Sequence, residues 1–163
     1  MATEQQRSMV WESRYHAEML HRYYGYLARK LSQRDRWIMW GALLLSSGAA
    51  SLLFTGWHAD IAKWLAVLAA ALNLWGVTSR YSHKALVSSG LRTRCAEWLT
   101  ECKLLWSQTD VLESEEVERR WKQLQDSGTK ITDLAVDSEL GLDEKLRKKS
   151  ENEAFEICGS QSA

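Results

Sequence analysis

The side chains best equipped for chemistry form two basic clusters and a few small or polar positions inside apolar runs. Arg14 stands beside Tyr15, and Arg92 stands two positions from Arg94. A guanidinium fork can bind an anionic oxygen pair in bidentate geometry, and a neighbouring ring can stack on a planar ligand. These four are the candidate anion-binding residues, set against a solvated helix face or intrahelical pairing. Ser47, Ser51, Ala66, Ala70 and Asn73 lie within long apolar stretches. Small residues let helices approach closely in lipid, and an amide there seeks a partner across helices. They point either to packing between two spans of one chain, or to an oligomer contact or polar pore lining.

Catalytic patterns are missing. There is no GxxxxGK[ST] loop and no GxGxxG turn to cradle phosphates. His16, His21, His58 and His83 have no zinc-like partner at useful spacing. No serine sits in a nucleophile elbow, and no carboxylate pair faces a plausible cleft. The expectation is a non-enzymatic protein without metal or cofactor.

The elements that must carry these residues follow from two apolar runs. Trp37 to Ala59 has no formal charge, and Ile61 to Ser79 has one, Lys63. The first run reaches roughly 34 Å as a helix, enough for a bilayer core of about 30 Å. The fold class expected is an all-α membrane protein: a two-helix transmembrane hairpin with cytosolic helical extensions packed as a bundle. Its parts are a cytosolic amphipathic helix at 1–36, spans at 37–57 and 61–79, a cytosolic helical region at 80–158, and a disordered tail at 159–163. No cleavable signal precedes the first span, which must act as its own insertion signal.

Arg7, Arg14, Arg22, Arg29, Lys30, Arg34 and Arg36 precede the first run, and Arg80, Lys84, Arg92 and Arg94 follow the second. The joint Gly56–Asp60 has no basic residue. The positive-inside rule then places both termini in the cytoplasm of a multi-pass protein. Trp37 and Trp40, Trp57 and Trp64, and Trp75 with Tyr81 bracket the runs, as interfacial rings do. Gly56 can end the first helix and Asp60 can cap the second.

Proline is absent, which suits long helices. Trp11, Tyr15, Met19, Tyr23, Leu27 and Leu31 recur every four residues before the first run. Leu91, Cys95, Trp98, Leu99, Cys102, Leu105 and Trp106 form a second stripe, and the two helices should pack on each other. Asp110 and Glu113 read as a capping box opening a third helix, with Val117, Trp121 and Leu124 inward and Gly128 as its end. Residues 129–141 are ambiguous, and Leu142 to Phe155 reads as a last, weakly apolar helix. Cys95, Cys102 and Cys158 give an odd count and no disulfide framework; Cys95 and Cys102 read as small buried side chains. A formal net charge of +0 supplies no bulk field for nucleic acid, so DNA is not an expected partner.

An amphipathic helix bearing Trp and Tyr, a short hairpin, and a helix opening with Arg80-Tyr81-Ser82-His83-Lys84-Ala85 together resemble the SLATT family over roughly residues 7–125. These are two-transmembrane effector domains of bacterial conflict systems. The resemblance implies an oligomeric inner (plasma) membrane effector that permeabilises the membrane in antiphage defence, ending in abortive infection. It also implies control by a nucleotide second messenger, such as a cyclic nucleotide or oligonucleotide, made by a synthase encoded nearby. The lipid bilayer and further copies of the chain are the other expected partners. The alternatives are a membrane-anchored adaptor and a holin-like pore, the second disfavoured by the long stretch after Ser79.

Overall fold

A computed structural model describes residues 2–55, 59–138 and 140–160; of residues 53–55, 59 and 160 it describes the backbone only. Every regular element among them is an α-helix: α1 (Glu4–Thr55), α2 (Ala59–Ser79), α3 (Tyr81–Gln108), α4 (Ser114–Asp137) and α5 (Glu144–Ser160). The expectations attached to Gly56, Trp57 and His58, and to the last three residues of the tail, lie outside the described residues.

The chain divides into two compact units, one of residues 1–28 with 86–163, the other of residues 29–85. The first unit is a four-helix bundle. His21 lies against Arg92 and Glu18 pairs with Lys103, so α3 runs antiparallel to α1. Gln6 meets Ser114 and Ser13 meets Trp121, so α4 runs parallel to α1. Lys149 stands over the Tyr26 ring and Glu153 meets Arg22, so α5 returns antiparallel. This is an up-down-up-down arrangement.

The buried line on α1 runs through Val10, Ala17, Tyr24 and Leu31, at seven-residue spacing, with Leu27 beside it. The every-four stripe only half holds, because Trp11, Tyr15 and Met19 are half-buried. Four residues turn about 400°, so such a line drifts about 40° per step, whereas alternating steps of three and four track a packed seam. On α3 the seam is Ser88, Leu91, Cys95, Trp98, Cys102 and Leu105, which matches the expected stripe closely.

The capping box does not form. Asp110 instead pairs with Arg7, residues 109–112 turn, and α4 starts at Ser114 with Glu113 making no side-chain cap. Gly128 does not end α4 either. It is buried in mid-helix, where a Cβ would stand 2.7 Å from Cζ2 of the Trp98 indole. The missing side chain is what lets α4 lie against that ring.

The second unit pairs residues 29–55 of α1 with α2. A Cβ placed at Gly76 would meet Ile38, one at Gly41 would meet Leu72, and one at Gly48 would meet Leu65. Partner numbers fall on one helix as they rise on the other, so the two run antiparallel without a register slip. Among the described residues, Ala42, Ala49, Ala62 and Ala69 are the buried apolar residues of this pair beyond Leu31. Ala66 and Ala70, grouped with Ala62 in the every-four reading, are exposed for the same geometric reason as on α1.

Asp60–Gln108, read through Arg80, is long and apolar enough to cross a membrane by length and composition. The far end of the first run falls on residues 53–59, whose side chains lie outside the described residues. Arg80 separates α2 from α3 with a φ of 49°, a left-handed turn that L residues seldom adopt.

Candidate functional site

Two places merit comparison with the expected sites. The first is the surface of the second unit. Trp37 (78% exposed), Trp40, Leu43, Leu44, Trp64, Val67, Leu68, Leu74, Trp75 and Val77 (77% exposed) all point away from the helix pair. The seam instead holds the buried alanines, with glycines set against half-buried Ile38, Leu65 and Leu72. The pattern inverts that of a water-soluble bundle, whose largest apolar side chains go inside. A contiguous surface of this kind marks contact with lipid or with another protein.

The five assembly candidates are on that outer surface. Ser47, Ser51, Ala66, Ala70 and Asn73 are all exposed, none in the seam. Ser47 donates its hydroxyl back to the Leu44 carbonyl at 3.1 Å, as Ser46 does to Ala42 at 2.8 Å. Such bonds let a hydroxyl sit in apolar surroundings without a neighbour. Asn73 has no local bond of this kind, and its amide makes no hydrogen bond among the described residues. Of the readings left open, packing between the two helices of one chain does not use these positions.

The second place is the interior of the bundle. Glu18 is only 5% exposed, and it receives Arg22 Nε at 2.9 Å and Lys103 Nζ at 3.3 Å. Arg22 also donates Nη1 to Glu153 at 2.9 Å, and the Tyr26 hydroxyl donates to Glu153 at 2.8 Å. Lys149 stands 4.4 Å over the Tyr26 ring. The Tyr26 bond holds the Glu153 carboxyl below its ordinary value; burial opposes this and Arg22 reinforces it. Ser13 is buried as well. Its oxygen accepts from Trp121 Nε1 at 3.2 Å and Gln125 Nε2 at 3.0 Å, while its hydroxyl donates to the Met9 carbonyl at 2.9 Å. Two sets of bonds tie the helices: the Glu18 set joins α1, α3 and α5 and the Ser13 set joins α1 to α4, and a buried carboxylate with its partners fixes register more than it adds stability.

The four anion-binding candidates do not share one surface. Arg14 is buried at 3% exposure inside the bundle. Tyr15 stacks on Trp11, with ring centroids 5.6 Å apart and planes within 4°. Arg92 is exposed and lies along Gly25, whose missing side chain leaves room for the Arg92 stem. Arg94 lines a hollow of about 180 Å³ with Lys130, Glu97 and Glu101, so two cations face two anions there. A larger groove of about 320 Å³ is lined by Ser13, His16, Leu20, Trp98, Gln125 and Asp133, among others. It carries no arginine, and sequence reasoning did not single it out.

Burial pushes the Cys95 and Cys102 thiols up to about 12 and raises that of Cys158. All three are buried, so they are protonated packing groups, not nucleophiles. Among the described residues no cluster of three His, Cys, Asp or Glu side chains is arranged for a metal ion.

Buried Arg14, Glu18 and Ser13 were not visible as interior residues in the sequence. The signal was present in their spacing: Ser13 and Arg14 fall between Val10 and Ala17 on the seven-residue line, and Glu18 lies next to Ala17. Comparison of the chain with protein-family models, with curated proteins and with solved structures finds no match.

Proposed function

We propose that this chain is an oligomeric membrane effector that permeabilises a bacterial inner membrane, the two apolar runs inserting as a hairpin with both termini in the cytoplasm. The observation that carries this reading is the inverted surface of residues 29–85, with four described indoles and Leu43, Leu44, Leu68 and Leu74 outside and alanines within. Outward Leu and Val are stable in hydrocarbon, and close alanine and glycine contacts supply the van der Waals packing that holds helices together there.

Assembly goes through the outer faces. Asn73 is the strongest contributor, because its amide has no bond of its own and gains one when a second copy arrives. Ser47, Ser51, Ala66 and Ala70 let neighbouring helices approach. The bundle of the other unit senses or assembles. A nucleotide second messenger or a partner protein that binds one assembly state better than another shifts the population toward it. The separation of Arg14 from Arg94 favours a partner surface over one arginine-lined anion pocket. Catalysis has no part in this reading.

The test is membrane potential, read with a voltage-sensitive dye in cells expressing the chain, beside an Asn73→Leu variant. Depolarisation by the parent and not by the variant supports a pore assembled through α2. Intact potential in a fully triggered state overturns the effector reading and leaves a membrane-anchored adaptor.

A further inference from the structure

The apolar surface of residues 29–85 has unlike ends. At one end, residues 29–36 and 80–84 carry Arg29, Lys30, Arg34, Arg36, Arg80 and Lys84 against one acid of their own, Asp35. At the other, among the described residues, Lys63 pairs with Asp60 at 3.1 Å and no charge is left over. Arg29, Arg34, Arg36 and Arg80 are exposed, and none makes an ion pair among the described residues.

Axial position gives these charges meaning. The antiparallel register that sets Ile38 against Gly76 brings Arg34 and Arg80 to nearly the same level. Arg34 and Arg36 lie within about 5 Å, one turn, of exposed Trp37, and Arg80 lies as close to exposed Val77. Arg29, Lys30 and Lys84 follow roughly 10 Å beyond the apolar surface. A lipid surface potential decays over about 8 Å at physiological salt, so Arg34, Arg36 and Arg80 lie well within its reach and the three outer residues meet only its tail. The left-handed backbone at Arg80 favours glycine, yet the position carries a guanidinium that faces solvent.

We infer that this collar binds anionic phospholipid headgroups, so that the hairpin selects negatively charged leaflets and fixes its own orientation by them. The inference rests on the membrane reading above and names the lipid class that the reading leaves open. Lipid is favoured over a soluble anion because the charges sit flush with exposed indoles: Trp37, Trp40 and Trp75 occupy the same end. An indole belongs at the headgroup level, and a guanidinium one turn further out meets phosphate there in bidentate geometry.

The experiment is cell-free synthesis of the full chain with vesicles of phosphatidylcholine alone, or of phosphatidylcholine and phosphatidylglycerol in equal parts. Flotation followed by a carbonate wash measures insertion. The chain should insert into both, with a severalfold preference for the anionic vesicles that falls as salt rises. The triple variant Arg34→Gln, Arg36→Gln, Arg80→Gln should lose most of that preference and keep its insertion into neutral vesicles. The corresponding triple Lys variant should retain most of the preference. Equal insertion of the parent into both vesicles, or a preference untouched by salt, overturns the inference and leaves the membrane reading standing. Failure to insert into either kind overturns both. If the Gln variant fails in neutral vesicles too, the parent's salt dependence and the Lys variant decide.

Discussion

The two units of this chain are built from the same element and put opposite things inside. In the bundle, Trp98, Leu91, Leu105 and Ile131 are buried, together with a satisfied set of charges around Glu18. In the helix pair of residues 29–85, Ala42, Ala49, Ala62 and Ala69 are buried, while Trp37, Trp40, Trp64, Trp75, Leu43, Leu44, Leu68 and Leu74 stand outside. Water rewards burial of apolar area, so large side chains go in; a hydrocarbon solvent offers no such reward, so contact geometry decides and small side chains go in. Under the membrane reading proposed above, the inversion corresponds to two solvents for one polypeptide, which mean hydropathy conceals by averaging both.

The sharpest way to break this comparison is to place the same residue at an exposed position of each unit. Leu68→Lys, near the middle of α2, should cost about 3 kcal/mol of insertion free energy, measured as the membrane-integrated fraction after carbonate wash. Thr100→Lys, exposed on α3, should change the stability of the bundle by no more than about 0.5 kcal/mol in urea titration. Equal, small effects at both sites would remove the case for two solvents.

Core truncation is next. Trp98→Ala should cost roughly 3–5 kcal/mol in the bundle, read from the midpoint of urea unfolding. Gly128→Ala drives a methyl into the same indole and should cost about 1–3 kcal/mol, partly recovered in the double variant with Trp98→Leu. In the other unit Ala62→Leu should open the seam at a similar cost, followed by disulfide trapping between introduced cysteines in micelles. Asn73→Leu should leave that seam intact and weaken self-association by about 0.5–2 kcal/mol, measured by energy transfer between labelled copies.

The smallest effect concerns pH. The folded-state value of Glu153 is depressed, chiefly by the Tyr26 hydrogen bond. Its contribution is therefore fully present above the ordinary carboxylate value, near 4.3, and is lost as pH falls through the lower folded value. Thermal melts of the parent should drop more steeply across that acidic window than those of Glu153→Gln.

Most helix content was legible, because proline is absent and apolar periods are helical; residues 129–137, left ambiguous, continue α4, and residues 159–160, expected in a disordered tail, continue α5. The α3 seam was legible residue by residue, since its three-and-four spacing is the packing period itself. The start of α4 was not. Asp110 and Glu113 have the spacing of a capping box, but Arg7, remote in sequence, claims the aspartate. Gly128 looked like a helix end because local propensity says so, whereas a tryptophan on a neighbouring helix explains it. The small-residue stripe on α2 was read one line away from the seam that forms, and the anion-binding arginines were grouped by sequence proximity that the bundle does not preserve.

What the amino-acid order determined alone is the set of local properties: helices, apolar runs, and the unequal charges at their ends. These depend on residues within a few turns of one another, where rise and period are fixed by the backbone. Tertiary structure alone decided which face of each helix is interior. Side chains that meet across a seam are chosen by contacts between distant residues, and in the second unit by closeness of approach instead of hydrophobicity. That choice buried Arg14 and Glu18 and turned Asn73 outward.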